Sequence, residues 1–155
     1  MKHKKKKQDA PPLNLYLAHP FDSRGFVRKW ELAIEKKFPM INLVNPFYDI
    51  DKRTDVIDID AGRTKRYEVD PAAIVIGDLE QISKSQGVVA VVDGSLSYGT
   101  IMEIAHAFLM NKPIYIIVTN GHIKHPWLQF HSKALFESFG EFEQYMAKEI
   151  HECLT

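Results

Sequence analysis

Four short runs of Val, Ile and Leu punctuate the chain: LNLYLA at 13–18, MINLV at 40–44, GVVAVV at 87–92 and PIYIIV at 113–118. None shows the steady alternation of a half-wet strand, so each predicts a strand covered on both faces. Between them the period changes to that of a helix. Phe26, Trp30, Ala33, Ile34 and Lys37 form one series, and Ala72, Val75, Ile76, Leu79 and Ile82 another. A third helix is expected from near Thr100 to the stop at Asn111-Lys112-Pro113, with Ile101, Ile104, Ala105, Phe108 and Leu109 packing on the sheet and Glu103 nearly opposite. A last helix follows Ser138, whose spacing to Glu141 matches a capping box, and runs through Phe142, Tyr145, Met146 and Ile150. A fifth strand fits Ala134 to Phe136. Alternating strands and helices predict a parallel sheet with helices on both faces, binding ligands beyond the carboxyl ends of its strands. Residues 45–71 are a polar connection without periodicity, and a stretch of that length is usually a functional lid or disordered.

At 155 residues and 45% hydrophobic, the chain has the material for one ordinary core. Its 20 basic and 20 acidic side chains cancel, so its global charge points to neither a nucleic acid nor a membrane surface. Charge is concentrated locally in MKHKKKKQDAPP, which has no apolar face to dock and makes residues 1–12 an expected disordered basic tail. The domain is expected over 13–155. Cys153 is the only cysteine, which excludes an internal disulfide and suits a reducing compartment. No apolar run reaches a membrane span, and the basic N-terminus is not followed by a signal-peptide core, so a soluble, cytoplasmic protein is expected.

The chemistry concentrates where the third strand ends. Asp93 follows Val92, the chain turns from Gly94 to Gly99, and Glu103 stands in the first turn of the next helix. Two roles suit Glu103 there. Thr100-Ile101-Met102-Glu103 has the capping-box spacing, and the positive end of a helix dipole also favours the ionised carboxylate that a nucleophile needs. His122, His125 and His131 could suggest a metal, but no cysteine or carboxylate completes a ligand spacing. No metal and no cofactor is expected.

Several motifs occur in a fixed order: Tyr16-Leu17-Ala18-His19-Pro20 in the first strand, Gly77-Asp78-Leu79 in the second helix, and Val91-Val92-Asp93-Gly94 in the third strand. There follow Ser97-x-Gly99-Thr100-x-x-Glu103-Ile104-x-x-Ala107, and Lys112-Pro113. In this order and spacing the chain resembles the nucleoside 2-deoxyribosyltransferase family, including its relatives that hydrolyse 2'-deoxynucleoside 5'-monophosphates. The resemblance covers most of residues 13–131. It implies that Glu103 is the nucleophile on C1' of the deoxyribose, Asp78 the acidic partner near the leaving base, and Tyr16 a neighbour of the sugar. It also suggests a homo-oligomer, with His125-Pro126-Trp127 near the segment that completes a neighbour's site; the other reading is a Trp packed under a loop.

Six residues before the nucleophile, transferases on free nucleosides often carry an acid and the monophosphate hydrolases a serine; here it is Ser97. Hydroxyls and backbone N–H groups of Ser97, Gly99 and Thr100 suit a 5'-phosphate, and Arg24 could add a cation or simply face solvent at a helix start. His19 replaces a glycine common in the first loop, a departure that crowds phosphate approach there. Asp93 either orients the loop or touches sugar hydroxyls. The expectation is therefore an α/β flavodoxin-like three-layer sandwich with a parallel five-stranded sheet. It would cleave the N-glycosidic bond of a deoxynucleoside or its monophosphate and transfer the sugar to another base or to water. A nucleotide-sensing module of the same fold, and a plain α/β domain in which Glu103 only caps its helix, are the alternatives.

Overall fold

A computed structural model of the chain describes residues 11–48, 60, 62 and 70–154. Most of the expected tail and most of the 45–71 connection lie outside the described residues. The strands are β1 (Leu13–Ala18), β2 (Ile41–Val44), β3 (Gly87–Val92), β4 (Ile114–Val118) and β5 (Ala134–Phe136). All pair in parallel, in the order β2-β1-β3-β4-β5. That is the flavodoxin-like order, as expected, and its reversal between β1 and β3 opens a crevice at the carboxyl edge of the sheet.

Period-two alternation sends neighbouring strand residues into separate cores. Leu15, Leu17, Val89, Val91 and Ile117 join α1 (Arg24–Lys37) and α5 (Phe139–Leu154) on one face, through Ile34, Phe142 and Met146. Tyr16, Ala18, Val88, Ala90 and Ile116 form the other core with α2 (Pro71–Lys84), α3 (Tyr98–Leu109) and the short α4 (Pro126–His131). Both faces are covered, which accounts for the uninterrupted apolar runs.

The helix starts follow local chemistry. Asp70 caps α2, its carboxylate accepting from the Ala72 N–H at 3.1 Å, with Pro71 in the first turn. Ser138 accepts from the Glu141 N–H at 3.1 Å, while the Glu141 carboxylate reaches back to the Glu137 N–H at 2.7 Å. Asn111 ends α3 with φ 56°, a left-handed conformation that asparagine tolerates. Lys112 then donates to the carbonyls of Ser83 and Ser85 at 2.8 and 2.7 Å, tying the end of α2 to the start of β4. The Lys112-Pro113 motif thus acts in packing.

Three helices bury part of their expected faces, Trp30 and Ile34, Leu79 and Ile82, and Ile104, and depart from the rest. In α1 the buried line is Val27, Glu31 and Ile34, and Phe26 is exposed. In α2, Val75 and Ile76 face outward while Ile82 is buried and Asp78 is half-buried. In α3 the inward series is Thr100, Glu103, Ile104 and Ala107, at i, i+3, i+4 and i+7. Ile101 and Leu109, expected to pack on the sheet, are 51% and 77% exposed. Glu103 therefore stands on the inward side of α3. The face of Glu103, Ala107 and Met110 meets the chain's own core through the fully buried Ala107.

Candidate active site

Tyr16 leaves β1 toward α2 and α3 and is fully buried. Its hydroxyl donates to Glu103 Oε1 at 2.6 Å, joining residues 87 apart in sequence. Burial is the largest influence on this phenol and raises its pKa well above the ordinary value; the charges of Glu103 and then Asp78 push it further up. Hydrogen bonding to both carboxylates adds to the same direction. The phenol consequently stays protonated, and one O–H serves two acidic neighbours. Tyr16, Glu103 and Asp78, expected on different elements to share a site, are brought together.

The cap question resolves at Ser97. Ser97 is the N-cap of α3, its hydroxyl accepting from the Thr100 N–H at 3.2 Å and pairing with the Thr100 hydroxyl at 2.7 Å. The helix starts at Tyr98, so Thr100 lies inside it and the Thr100–Glu103 spacing is not a capping box. Capping is done without Glu103. The carboxylate is placed one turn into a helix whose N-terminus favours negative charge, with Tyr16 setting its orientation.

A cavity of about 360 Å³ opens at the carboxyl edge of β3, lined by Pro20, Asp93, Ser95, Ser97, Thr100 and Asn120 among others. Asp93 organises its floor. The Ser23 hydroxyl donates to Asp93 Oδ2, the Ser95 N–H donates to Oδ1 at 2.7 Å, and the Asn120 amide donates to the Asp93 carbonyl at 3.2 Å. These bonds tie Asp93 to the loop that follows it and to the turn after β1. Gly99 has open space where a side chain would project.

Arg24 is engaged elsewhere. Its guanidinium lies over the Phe21 ring, bonds the Phe21 carbonyl at 3.0 Å and pairs with Asp60. His19 is buried beneath the β1–α1 turn and bonded to Asn45, away from the lining of the cavity. Burial lowers its pKa, against smaller opposing influences from Asn45, Pro20 and Asp93. His125 lines a separate cavity of about 320 Å³ with Ile101, His122, Trp127 and His131, and caps α4 by accepting from the Trp127 N–H at 3.4 Å. Within one chain it does not join Glu103. Among the described residues, no group of three or more His, Cys, Asp or Glu side chains is placed to hold a metal ion.

Sequence reasoning gave no role to Ser23, Ser95, Asn120 or the buried Asn45–Glu31 pair. The available signal was position: Asn45 and Asn120 stand within two residues of β2 and β4, at the sheet edge where ligands bind.

No protein-family model matches the chain, and no curated protein sequence matches it. Solved structures do. A 2-deoxyribosyltransferase from Bacillus psychrosaccharolyticus superposes with a TM-score of 0.59 at 19% identity, over 84% of this chain and 90% of that one. The Clostridium botulinum CMP N-glycosidase BcmB gives 0.55 at 15% identity over 88% and 98%. A 2-deoxyribosyltransferase from Leishmania mexicana gives 0.56 at 14% over the same shares, 88% and 98%. The motifs implied this likeness, and at this level of identity what it establishes is architecture: the chain has the fold of the 2-deoxyribosyltransferases and of the CMP N-glycosidase.

Proposed function

We propose that the protein cleaves the N-glycosidic bond of 2'-deoxynucleosides or their 5'-monophosphates through a covalent deoxyribosyl-glutamate intermediate on Glu103. The observation that carries this reading is the single buried hydroxyl of Tyr16, bonded to Glu103 and acted on by Asp78. Breaking the bond develops positive charge on the sugar and negative charge on the base. The Glu103 carboxylate bonds to C1' as the C–N bond breaks and its electron pair leaves with the base. Asp78, as the acid, supplies the proton that the departing base takes up. Water or a second base then displaces the glutamate at C1'. Names of the structural neighbours, covering transfer of deoxyribosyl groups and N-glycoside cleavage, agree with this chemistry.

The 5' side of the substrate is assigned to the cavity of Ser95, Ser97 and Thr100. Incubation with deoxynucleosides, ribonucleosides and their monophosphates, CMP included, with and without an acceptor base, tests the whole reading by chromatography. Release of free base from a deoxy substrate is expected, faster than from its ribo counterpart. A ligand-induced rise in melting temperature without any product would instead favour a sensing module. If Ser97 faces a phosphate, Ser97→Asp reduces monophosphate use more than nucleoside use through like-charge repulsion.

The reading includes a homo-oligomer. On the outer side of α3 and α4, Ile101, Met102, Leu109, Trp127 and Phe130 form a largely exposed apolar face. Leu109→Glu is expected to shift the sedimenting mass toward the monomer; an unchanged mass would remove this face from assembly.

A further inference from the structure

The turn that follows β1 rests on a second buried polar cluster, distinct from Tyr16, Glu103 and Asp78. His19, Asn45 and Glu31 are each at most 3% exposed. Glu31 projects from the middle of α1 and Asn45 stands just past β2, so the cluster ties three elements together at the carboxyl edge of the sheet. Arg28 donates to Glu31 Oε1 at 2.7 Å, and the Asn45 amide nitrogen donates to Glu31 Oε2 at 2.7 Å. Asn45 Oδ1 then faces His19 Nε2 at 3.0 Å and accepts the Phe47 N–H at 3.2 Å.

The amide of Asn45 has one workable orientation. Reversing it would point its oxygen at a carboxylate and its NH2 at the Phe47 N–H, two repulsive contacts in a buried site. With the oxygen turned to His19, that contact is a hydrogen bond only if Nε2 carries the proton. The Glu31 carboxylate, pulling on the far side of the amide, makes Oδ1 a stronger acceptor. His19 Nδ1 lies 3.1 Å from the Pro20 carbonyl oxygen. A neutral imidazole has one N–H and cannot donate to both. Glu31 and Asn45 decide which contact receives it.

Pro20 lines the 360 Å³ cavity, and three residues on, Ser23 donates to Asp93. Whatever fixes the His19 ring therefore fixes the backbone from which that wall is built. We propose that Glu31 and Asn45 are positioning residues that hold His19 as its Nε2–H tautomer and, through the His19-Pro20 turn, set the cavity wall at Pro20 and Asp93. Among the described residues, the charged and titratable groups facing this ring and its partners are Asp93 from the end of β3 and Glu31, Arg28 and Glu35 from α1. The consequence for turnover rests on the glycosidic-bond reading; the consequence for the ring and the wall does not.

The test uses the full chain without ligand, labelled with ¹⁵N, and the isosteric Glu31→Gln. At pH 7 the His19 ring of the wild type is expected to show a protonated Nε2 and an unprotonated Nδ1. In Glu31→Gln, whose amide can face Asn45 in either sense, the two ring signals should move toward each other. The backbone amides of Ser23 and Ser95 should shift with them. Asn45→Ala is the second variant: it removes the acceptor facing Nε2, so the proton should move to Nδ1 and the Pro20 carbonyl at the same pH. In turnover of a deoxynucleoside monophosphate, Glu31→Gln should raise KM about tenfold with kcat within about twofold.

A wild-type ring protonated at Nδ1, or ring signals indifferent to both variants, overturns the proposal. So does a ring that responds while the Ser23 and Ser95 amides and KM stay fixed, since the cluster would then serve only the fold. A wild type that turns nothing over sinks the glycosidic-bond reading, and the ring and amide signals still decide this one.

Discussion

Two acidic clusters, one around the buried Tyr16 and one around the buried Glu31, flank the end of β1, and the influences within them differ. Every influence on Tyr16 raises its pKa: burial, then Glu103, then Asp78. Around Glu31, burial also raises the pKa, but hydrogen bonds from Asn45 and Arg28 and the Arg28 charge oppose it. At Tyr16 the neighbours add to the effect of burial, whereas at Glu31 Asn45 and Arg28 work against it. Carboxylates gathered on one phenol suit a reaction in which a cation develops, whereas a carboxylate met by an arginine and an amide suits holding a turn in place.

Substitutions should separate the two. Glu103→Gln is expected to reduce turnover by about a thousandfold or more while leaving the melting temperature near wild type, because Ser97 performs the capping. Near-normal activity in the folded variant would end the nucleophile assignment. Quenched wild type should show a deoxyribosyl or deoxyribosyl-phosphate adduct by intact mass, absent from the variant. Tyr16→Phe removes the donor to Glu103 Oε1 and should lower kcat by about 10- to 100-fold, an effect of orientation that steady-state kinetics would report. If KM changed and kcat did not, Tyr16 would belong to binding.

In the second cluster, Glu31→Ala leaves the Asn45 amide without its acceptor and should cost about 1–3 kcal/mol in urea unfolding. A loss as large from Glu103→Gln would erase the distinction between the clusters. The smallest effect concerns acid. Burial depresses the folded pKa of His19, so its contribution to stability is present above the unfolded value of 6.5 and is lost as pH falls below it toward the folded pKa. His19→Gln should flatten that part of the stability profile; an unchanged slope would show that the ring titrates as it does unfolded.

The strands were readable from sequence almost to the residue, including the short β5. Their signal is composition over a continuous run, and a strand covered on both faces needs no choice of side. The helices demand that choice, and there periodicity misleads. Periodicity assigns polar residues to solvent, yet Glu31, Asp78, Thr100 and Glu103 turn inward. Each can do so because its partner arrives from another element: Tyr16 for Glu103, Asn45 for Glu31. α3 is also apolar on more than one side, so its pattern fits two rotations, and the contacts with β1, β3 and α2 select the one that brings Glu103 to Tyr16. The family resemblance carried by the motifs named Glu103, Asp78 and Tyr16 together, and packing joins them. Residues whose role depends on a long-range hydrogen bond, such as Asn45, carry no local pattern at all. The sequence by itself determined the layers, the parallel sheet and the edge where chemistry would gather, because burial and chain order are properties of short segments. Which face of each helix meets that edge, and therefore which carboxylates share a proton donor, was decided only when the elements packed.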